Sequence, residues 1–332
     1  MTMHAPPSRG PLLLSRYAEA LFWLARYMER ADFIARMIEA TVRLEYLPRT
    51  GVDDPHAEWA SALNAAGAYD SFIEERGAVD EASAIDYLTF DRNNSSSICN
   101  CLEYARANGR AVRTALTVET WTAINDAWLE LKRFESTRRA SKDLNLEALT
   151  RFLDYVKKAS LDFDGSCYRT MLRNDAFWFN RLGLFVERAD NTARLLDVKY
   201  HLLLPSSESV GGSLDYFQWV AILRAVSAAT AYHWVYRDRI KPWLIADLLI
   251  LKNPMPRSLI YCYRLIDEML DSLATDDGRS GAAQRLARGT YAKLERATMA
   301  EIFQNGLHEF ITDFIEDNAK LAYTISEQYL FV

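Results

Sequence analysis

Apolar residues recur along this chain with the period of an α-helix, most clearly from Ser15 toward Pro48. The apolar positions of this stretch form one broad stripe at a spacing of 3.6 residues: Leu24, Tyr27, Met28, Ala31, Ile34, Ala35, Ile38 and Val42. The other side carries charges: Glu29, Asp32, Arg36, Glu39 and Arg43. Phe22 and Phe33 stand among these charges, so we expect the charged side to be partly covered.

The same period predicts helices along the rest of the chain. In the first part they fall at about 57–75, 80–89, 96–116, 118–136 and 145–163. A long helix then ends near Leu204, another passes through Trp219 and His233, and two helices follow Gly278. Polar turns are expected at Asp91–Ser97, Asp164–Ser166 and Asn253–Ser258. Because no strand-like alternation of convincing length occurs, the predicted fold class is all-α.

The chain contains an internal repeat. Glu29, Arg30, Ala31, Asp32, Ala35 and Arg36 recur 158 residues later as Glu187, Arg188, Ala189, Asp190, Ala193 and Arg194. Trp59 recurs as Trp219 at a distance of 160, and Ser97 as Ser258 at 161. A slowly drifting distance is typical of two diverged copies with short loop insertions. We therefore predict a helical bundle of two homologous halves, 12–163 and 164–332, related by a pseudo-two-fold axis and packed as one unit, after a disordered extension at 1–11.

Composition and charge narrow the function classes. The 332 residues are 50% hydrophobic, which is ample for a large core, and the net charge of −6 offers no basic face for nucleic acid. No apolar run is long enough to span a membrane, and no signal peptide is recognisable. Four cysteines without zinc-site spacing predict buried reduced thiols, no metal site and a cytoplasmic location.

The repeated charges are the main candidates for function. Within this one chain they are identical between the copies while apolar positions such as Ile38 and Leu196 differ, although a solvated face should diverge faster than a core. Two interpretations stay open. The charges form a half-buried structural ion network, or they line a pocket in which Arg36 and Arg194 bind a carboxylate. In the pocket, Asp32 and Asp190 would orient an amine, and Glu29 or Glu187 would accept a proton.

Polar residues near two helix starts form a second group of candidates. Ser97 and Ser258 stand where N-caps are expected, and exposed N–H groups at such helix ends could add an anion site. Arg257 precedes Ser258, and the helix after Ser97 carries Arg110 and Arg113. We include these residues as candidates for substrate binding.

Four segments in order resemble the bacterial alpha-E domain family, over residues 12 to 330. They are LLSRYAEALFWLARYMERAD, DRNNSSSICNCLEYARANGRAVR with ETWTAIN, FVERADNTARLLDVKYHLLLP and LLILKNPMPRSLIYC. The chain departs from the family pattern with Ser95 in place of proline and Ala107 in place of glutamate. The resemblance implies an all-helical protein encoded beside, or fused to, a circularly permuted ATP-grasp ligase, often near a transglutaminase-like protein, in the making or modification of small peptides.

The resemblance and the charges together give three functional hypotheses. The leading one is that the chain binds an amino-acid or peptidyl substrate, or the ligase itself, for an ATP-grasp amide ligase. ATP and Mg²⁺ would then enter only through that partner. The second is a transferase or hydrolase that acts on the ligase product, and the third is a helical scaffold without ligand. Whether the chain is itself an enzyme stays open at this point.

Overall fold

The computed structural model describes residues 15–46, 56–141, 145–202, 213–277 and 280–329, and it contains α-helices and turns but no strand within these ranges. The all-α prediction is confirmed. The predicted extension at 1–11 lies outside the described residues. None of the described helices combines the length and apolar character needed to cross a membrane.

Seven helices form the first half of the chain. They are α1 (Ser15–Glu45), α2 (Ala57–Ala65), α3 (Tyr69–Arg76), α4 (Glu81–Thr89), α5 (Ile98–Ala111), α6 (Val118–Ser141) and α7 (Leu146–Thr170). A short 3₁₀ turn at Arg113–Ala115 connects α5 to α6.

The second half begins with α8 (Asp175–Leu202). The following helices are α9 (Ser213–Ala225), α10 (Ala229–Tyr236), α11 (Pro242–Ile250), α12 (Leu259–Asp277), α13 (Ala282–Arg296), α14 (Met299–Asn305) and α15 (Leu307–Gln328). The chain therefore ends in three described helices after Gly278, where the sequence predicted two.

The predicted break at Asp164–Ser166 is wrong, because α7 runs through it to Thr170. A glycine inside a helix costs about 1 kcal/mol relative to alanine. Here the apolar stripe continues across Gly165, with Phe163 and Cys167 both buried, and Arg181 of α8 forms an ion pair with Asp164. Packing against the core thus outweighs the local preference for a turn, and the connection between α7 and the next helix falls at residues 171–174.

Two predicted helices are each split by a tight turn. The helix expected at 57–75 is interrupted at Gly67, whose φ is +64°, and the helix expected through Trp219 and His233 is interrupted at Ser227, whose φ is +55°. Glycine adopts this left-handed conformation at little cost, whereas serine rarely does. The two turns lie 160 residues apart, which is the distance that separates Trp59 from Trp219.

Helices α1 and α8 form the centre of the molecule and pack on each other. Helix α1 also contacts α5, α7 and α9, and α8 also contacts α12 and α15. Both sides of α1 are therefore covered, which explains why Phe22 and Phe33 are buried among its charges. The two helices approach closely at Gly183, where a β-carbon would lie 2.1 Å from the carbonyl oxygen of Phe22. The homology of the halves and their pseudo-two-fold axis stay predictions.

Candidate functional site

Glu29 of α1 is bound by two arginines of the second half. Its side chain is only 2% exposed. Arg188 donates from Nε to Oε1 over 2.9 Å and from Nη2 to Oε2 over 2.8 Å, and Arg257 donates from Nη1 to Oε1 over 2.7 Å. A bidentate guanidinium–carboxylate pair is the strongest kind of ionic hydrogen bond in proteins, so this contact joins the two halves firmly.

Glu187 of α8 makes the reciprocal contact with the first half. Arg30 donates from Nε to Oε1 over 2.6 Å and from Nη2 to Oε2 over 3.1 Å, and Arg26 donates from Nε to Oε2 over 2.7 Å. The Glu187 side chain is 2% exposed. Each half thus supplies one buried glutamate and the arginines that neutralise the glutamate of the other.

The electrostatics of both glutamates follow from this pairing. Burial by itself raises the pKa of a carboxyl, but Arg188 and Arg257 outweigh that effect and lower the pKa of Glu29 to about 2. Arg30 and Arg26 lower the pKa of Glu187 to about 2 in the same way. A general base works best with a pKa near the operating pH. The arrangement therefore suits a structural ion network better than the proton-transfer role predicted for Glu29 and Glu187.

The two repeated aspartates have different surroundings. Asp32 is buried, and its Oδ2 accepts hydrogen bonds from Arg36 Nε over 2.8 Å and from Arg257 Nη2 over 2.9 Å. Among the described residues, Asp190 accepts a hydrogen bond only from Arg194 Nε, over 2.6 Å, and its side chain is 17% exposed. The carboxylate of Asp190 is thus the one that a ligand can still reach.

A cavity of about 200 Å³ opens beside Asp190, between α1, α8, the Gly67 turn and the loop before α5. We call it the Ser96 cavity. Its polar lining consists of Arg30, Ser96, Glu187, Asp190, Asn191 and Arg194. Asn191 is 5% exposed, and its Nδ2 has no hydrogen-bond partner in the part of the chain that the structure describes. The side chain of Arg194 is 36% exposed, and no described residue accepts a hydrogen bond from its terminal nitrogens, so these donors are open to solvent or to a ligand.

Arg36 lies at a different cavity, which we call the Ser227 cavity. It measures about 470 Å³, and its polar lining is Arg36, Glu39, Arg43, Arg224, Ser227 and Thr230. Arg36 Nη1 donates to Ser227 Oγ over 2.8 Å. The structure therefore places Arg36 and Arg194 at two separate cavities, and not at the shared one that the sequence predicted.

The model of the Alpha-E family, described as a predicted alpha-helical domain with a conserved ER motif, matches residues 13–330. The chain belongs to the Alpha-E family. It is also 23% identical over 344 residues to a protein of Mycobacterium bovis and to a protein of Mycobacterium tuberculosis, both named only as uncharacterized proteins. The match covers 93% of this chain but only 37% of each relative. No solved structure gives a significant match.

The structure locates both copies of the ER motif of this Alpha-E chain at the contact between α1 and α8. The glutamate and the arginine of one copy, Glu29 and Arg30, pair with the arginine and the glutamate of the other, Arg188 and Glu187. Sequence reasoning missed Arg26, Arg30 and Arg188 as functional partners. For Arg30 and Arg188 the signal was present, because both recur in the repeat, whereas Arg26 aligns with Leu184 and gave no signal.

The two predicted N-caps are found at the expected helix starts. Ser97 Oγ accepts from the backbone N–H of Asn100 over 3.3 Å, and Ser258 Oγ accepts from that of Tyr261 over 3.2 Å. Both serines are fully buried. The hydroxyl groups of both serines therefore act as helix N-caps. The neighbouring Ser96, which was not predicted, is the serine that lines a cavity.

The last two predicted arginines lie at the end of α5. Arg110 is exposed, and Arg113 lies over the ring of Trp121 at 5.4 Å. No described hydrogen bond joins either of them to the network around Glu29 and Glu187. Within the described residues, no group of three or more histidine, cysteine, aspartate or glutamate side chains is placed to hold a metal ion.

Proposed function

We propose that this Alpha-E chain binds a small amino-acid or peptidyl ligand in the Ser96 cavity and works with an ATP-grasp amide ligase. The observation that carries the proposal is the set of unused polar groups beside one another: the terminal nitrogens of Arg194, the buried Nδ2 of Asn191 and the accessible carboxylate of Asp190. Of these groups, Asn191 Nδ2 is the buried one, and buried polar atoms without partners are uncommon in native proteins. The side chains of Arg194 and Asp190 are 36% and 17% exposed, so a ligand can reach them from solvent.

The chemistry of these groups fits a ligand that carries both charges. Arg194 and Asn191 offer N–H donors for a carboxylate or a carbonyl oxygen, and Asp190 accepts from an amine. Three guanidinium groups, of Arg26, Arg30 and Arg194, surround the carboxylates of Glu187 and Asp190 and leave one positive charge in excess. That excess favours the carboxylate end of the ligand.

The volume of the cavity limits the size of the ligand. Pockets for drug-sized molecules measure about 300 to 1,000 Å³. The Ser96 cavity, at about 200 Å³, is smaller and suits an amino acid or one end of a peptide. ATP would bind to the partner ligase, which is where the resemblance puts nucleotide chemistry.

The relatives support a function within a larger system. This chain spans 37% of their length, so each carries a large region beyond the matched part. A linked or separate ligase is the partner that the family resemblance suggests, and a transglutaminase-like protein is a further one.

The scaffold hypothesis explains a different part of the site. Glu29 and Glu187 are fully paired with arginines of the opposite half, as expected for a network that holds the halves together. We infer that these two glutamates serve the fold and that Arg194, Asp190 and Asn191 serve the ligand. A transferase or hydrolase needs an accessible group for proton transfer, and Asp190 is the carboxylate of the repeat in that position.

The proposal is tested by affinity capture from the native host, followed by mass spectrometry of the retained proteins and metabolites. Wild type is compared with Arg194→Ala and with the matched control Arg36→Ala, whose arginine occupies the aligned position at the Ser227 cavity. We expect an ATP-grasp protein and an amino acid or peptide with wild type and with Arg36→Ala, and loss of the metabolite with Arg194→Ala. Absence of an ATP-grasp protein would contradict the proposed partner, and equal metabolite retention by all three would contradict the proposed site.

A further inference from the structure

The charge network is reciprocal between the halves except at two positions, where Arg26 aligns with Leu184 and Arg257 aligns with Ser96. The distance of 161 residues that aligns Ser97 with Ser258 also aligns Ser96 with Arg257. Arg257 extends between two carboxylates of α1, with Nη1 2.7 Å from Glu29 Oε1 and Nη2 2.9 Å from Asp32 Oδ2. Its side chain is 13% exposed, so the guanidinium is largely enclosed.

Ser96 is too short to make the corresponding contact in the other half. Arg30 Nη1 donates to Ser96 Oγ over 3.3 Å, and no side chain from this loop reaches Asp190. Glu187 gains its second arginine from Arg26 instead, so it is fully paired. Asp190 has Arg194 as its one ionic partner within the described ranges, and the Ser96 cavity lies beside it.

Asp32 and Asp190 are aligned in the repeat, so the contact of Asp32 with Arg257 shows which kind of group can lie beside such an aspartate. The guanidinium of Arg257 gives Asp32 a second ionic partner beside Arg36, although both bind Oδ2 and the buried Oδ1 has no partner among the described residues. The aligned aspartate, Asp190, has the space but not the guanidinium. Asn191 lines the same cavity and is 5% exposed, and its Nδ2 has no partner among the described residues, which indicates that an acceptor belongs beside the cation at this place.

We propose that the Ser96 cavity binds the guanidinium or ammonium group of its ligand against Asp190, in the place that Arg257 takes against Asp32, and that the chain therefore has one such site and not two. This inference rests on the proposed function for the presence of a ligand. It adds that the ligand carries a cationic group and that each chain binds one ligand. The other end of the ligand accepts hydrogen bonds from Arg194 and Asn191.

Three small probes separate the two ends of the ligand: 4-guanidinobutyrate carries both charges, agmatine carries only cations and butyrate carries only the carboxylate. Binding is measured by isothermal titration calorimetry on the full chain. We expect 4-guanidinobutyrate to bind at one equivalent per chain and butyrate to bind at least tenfold more weakly. Equal affinity for 4-guanidinobutyrate and butyrate, or no binding of 4-guanidinobutyrate, overturns the inference.

Two variants test the position of the cation. Ser96→Arg supplies the guanidinium that the aligned position already carries, so we expect it to fold with an unchanged or higher melting temperature and to bind 4-guanidinobutyrate at least tenfold more weakly than wild type. Asp190→Asn removes the charge without changing the size of the side chain and should weaken binding to a similar extent. Wild-type affinity in Asp190→Asn, or in a folded Ser96→Arg, overturns the inference.

The same titrations distinguish a failure here from a failure of the proposed function. If agmatine binds as tightly as 4-guanidinobutyrate and Arg194→Ala weakens neither, the carboxylate role of Arg194 fails while the cation position against Asp190 stands. If butyrate and 4-guanidinobutyrate bind equally and Arg194→Ala abolishes both, the carboxylate role stands and the cation position fails.

Discussion

At the scale of single residues, the repeated charges have two different roles. Glu29 and Glu187 are buried and fully paired across the two halves, while Asp190 and Arg194 are partly open to a cavity. The sequence identified all four as candidates, because a charge that recurs beside changing core positions needs an explanation. It could not assign partners, since pairing across 157 to 228 residues depends on how distant helices and loops pack.

The buried glutamates make stability depend on acid pH. The pKa of each is lowered from an ordinary value of 4.5 to about 2 in the folded chain. A lowered pKa in the folded state contributes stability that is fully present above about pH 4.5 and is lost as the pH falls toward 2. The shift corresponds to about 3 kcal/mol for each carboxylate. We therefore expect the melting temperature to be level above about pH 5.5 and to fall steeply between pH 4.5 and 2.

Circular dichroism across this pH range checks the expectation. The variant Glu29→Gln/Glu187→Gln should be less stable at neutral pH and should lose much of the dependence below pH 4.5, because its amides do not titrate. If the melting temperatures of wild type and variant fell in parallel below pH 4.5, other carboxyl groups would be responsible for the loss of stability in acid.

At the scale of elements, the period of apolar residues predicted the helices well, but not their ends. The break placed at Asp164–Ser166 was wrong because tertiary packing holds Gly165 inside α7. The splits at Gly67 and Ser227 were missed because an isolated glycine or serine within a helical pattern is a weak local signal. The close crossing of α1 and α8 at Gly183 carries no signal in one sequence at all.

That crossing gives a sharp prediction. A methyl group at Gly183 would meet the backbone of Phe22, which cannot move aside as a flexible side chain can. We expect Gly183→Ala to lower the free energy of unfolding by about 1 to 3 kcal/mol, which is the usual cost of overpacking. Gly165→Ala is the matched control, since nothing lies within 4 Å of a β-carbon there, and it should stabilise by about 0.5 to 1 kcal/mol. Urea denaturation measures both, and equal effects would contradict the close crossing.

At the scale of the whole molecule, buried ion pairs connect the two halves, and we expect each half to need the other in order to fold. Every ion pair of Glu29 and Glu187 joins one half to the other, and α1 packs on both α8 and α9. Removing one partner of a buried pair typically costs about 3 to 5 kcal/mol, because the remaining charge has no neutralising group. The packing of the two halves as one unit stays a prediction.

Separation of the halves tests that dependence. Residues 1–172 and 173–332 expressed apart should each lack a cooperative thermal transition, since each would expose a buried glutamate and the face that covers it. Together they should form a one-to-one complex that unfolds cooperatively. A half that unfolds cooperatively by itself would show that the network between α1 and α8 is not required for folding.

The central claim is that this Alpha-E chain binds an amino-acid or peptidyl ligand through Arg194 while Arg36, its counterpart in the repeat, contributes little. The most direct measurement is equilibrium dialysis of wild type, Arg194→Ala and Arg36→Ala against an equimolar mixture of the twenty amino acids, with quantification by mass spectrometry. Loss of a charged hydrogen bond corresponds to about 1.5 to 3 kcal/mol, which is roughly tenfold or more in affinity. We predict enrichment of one or a few amino acids on wild type and Arg36→Ala, at up to one equivalent per chain, and none on Arg194→Ala. No enrichment on wild type, or equal enrichment on all three proteins, would contradict the claim.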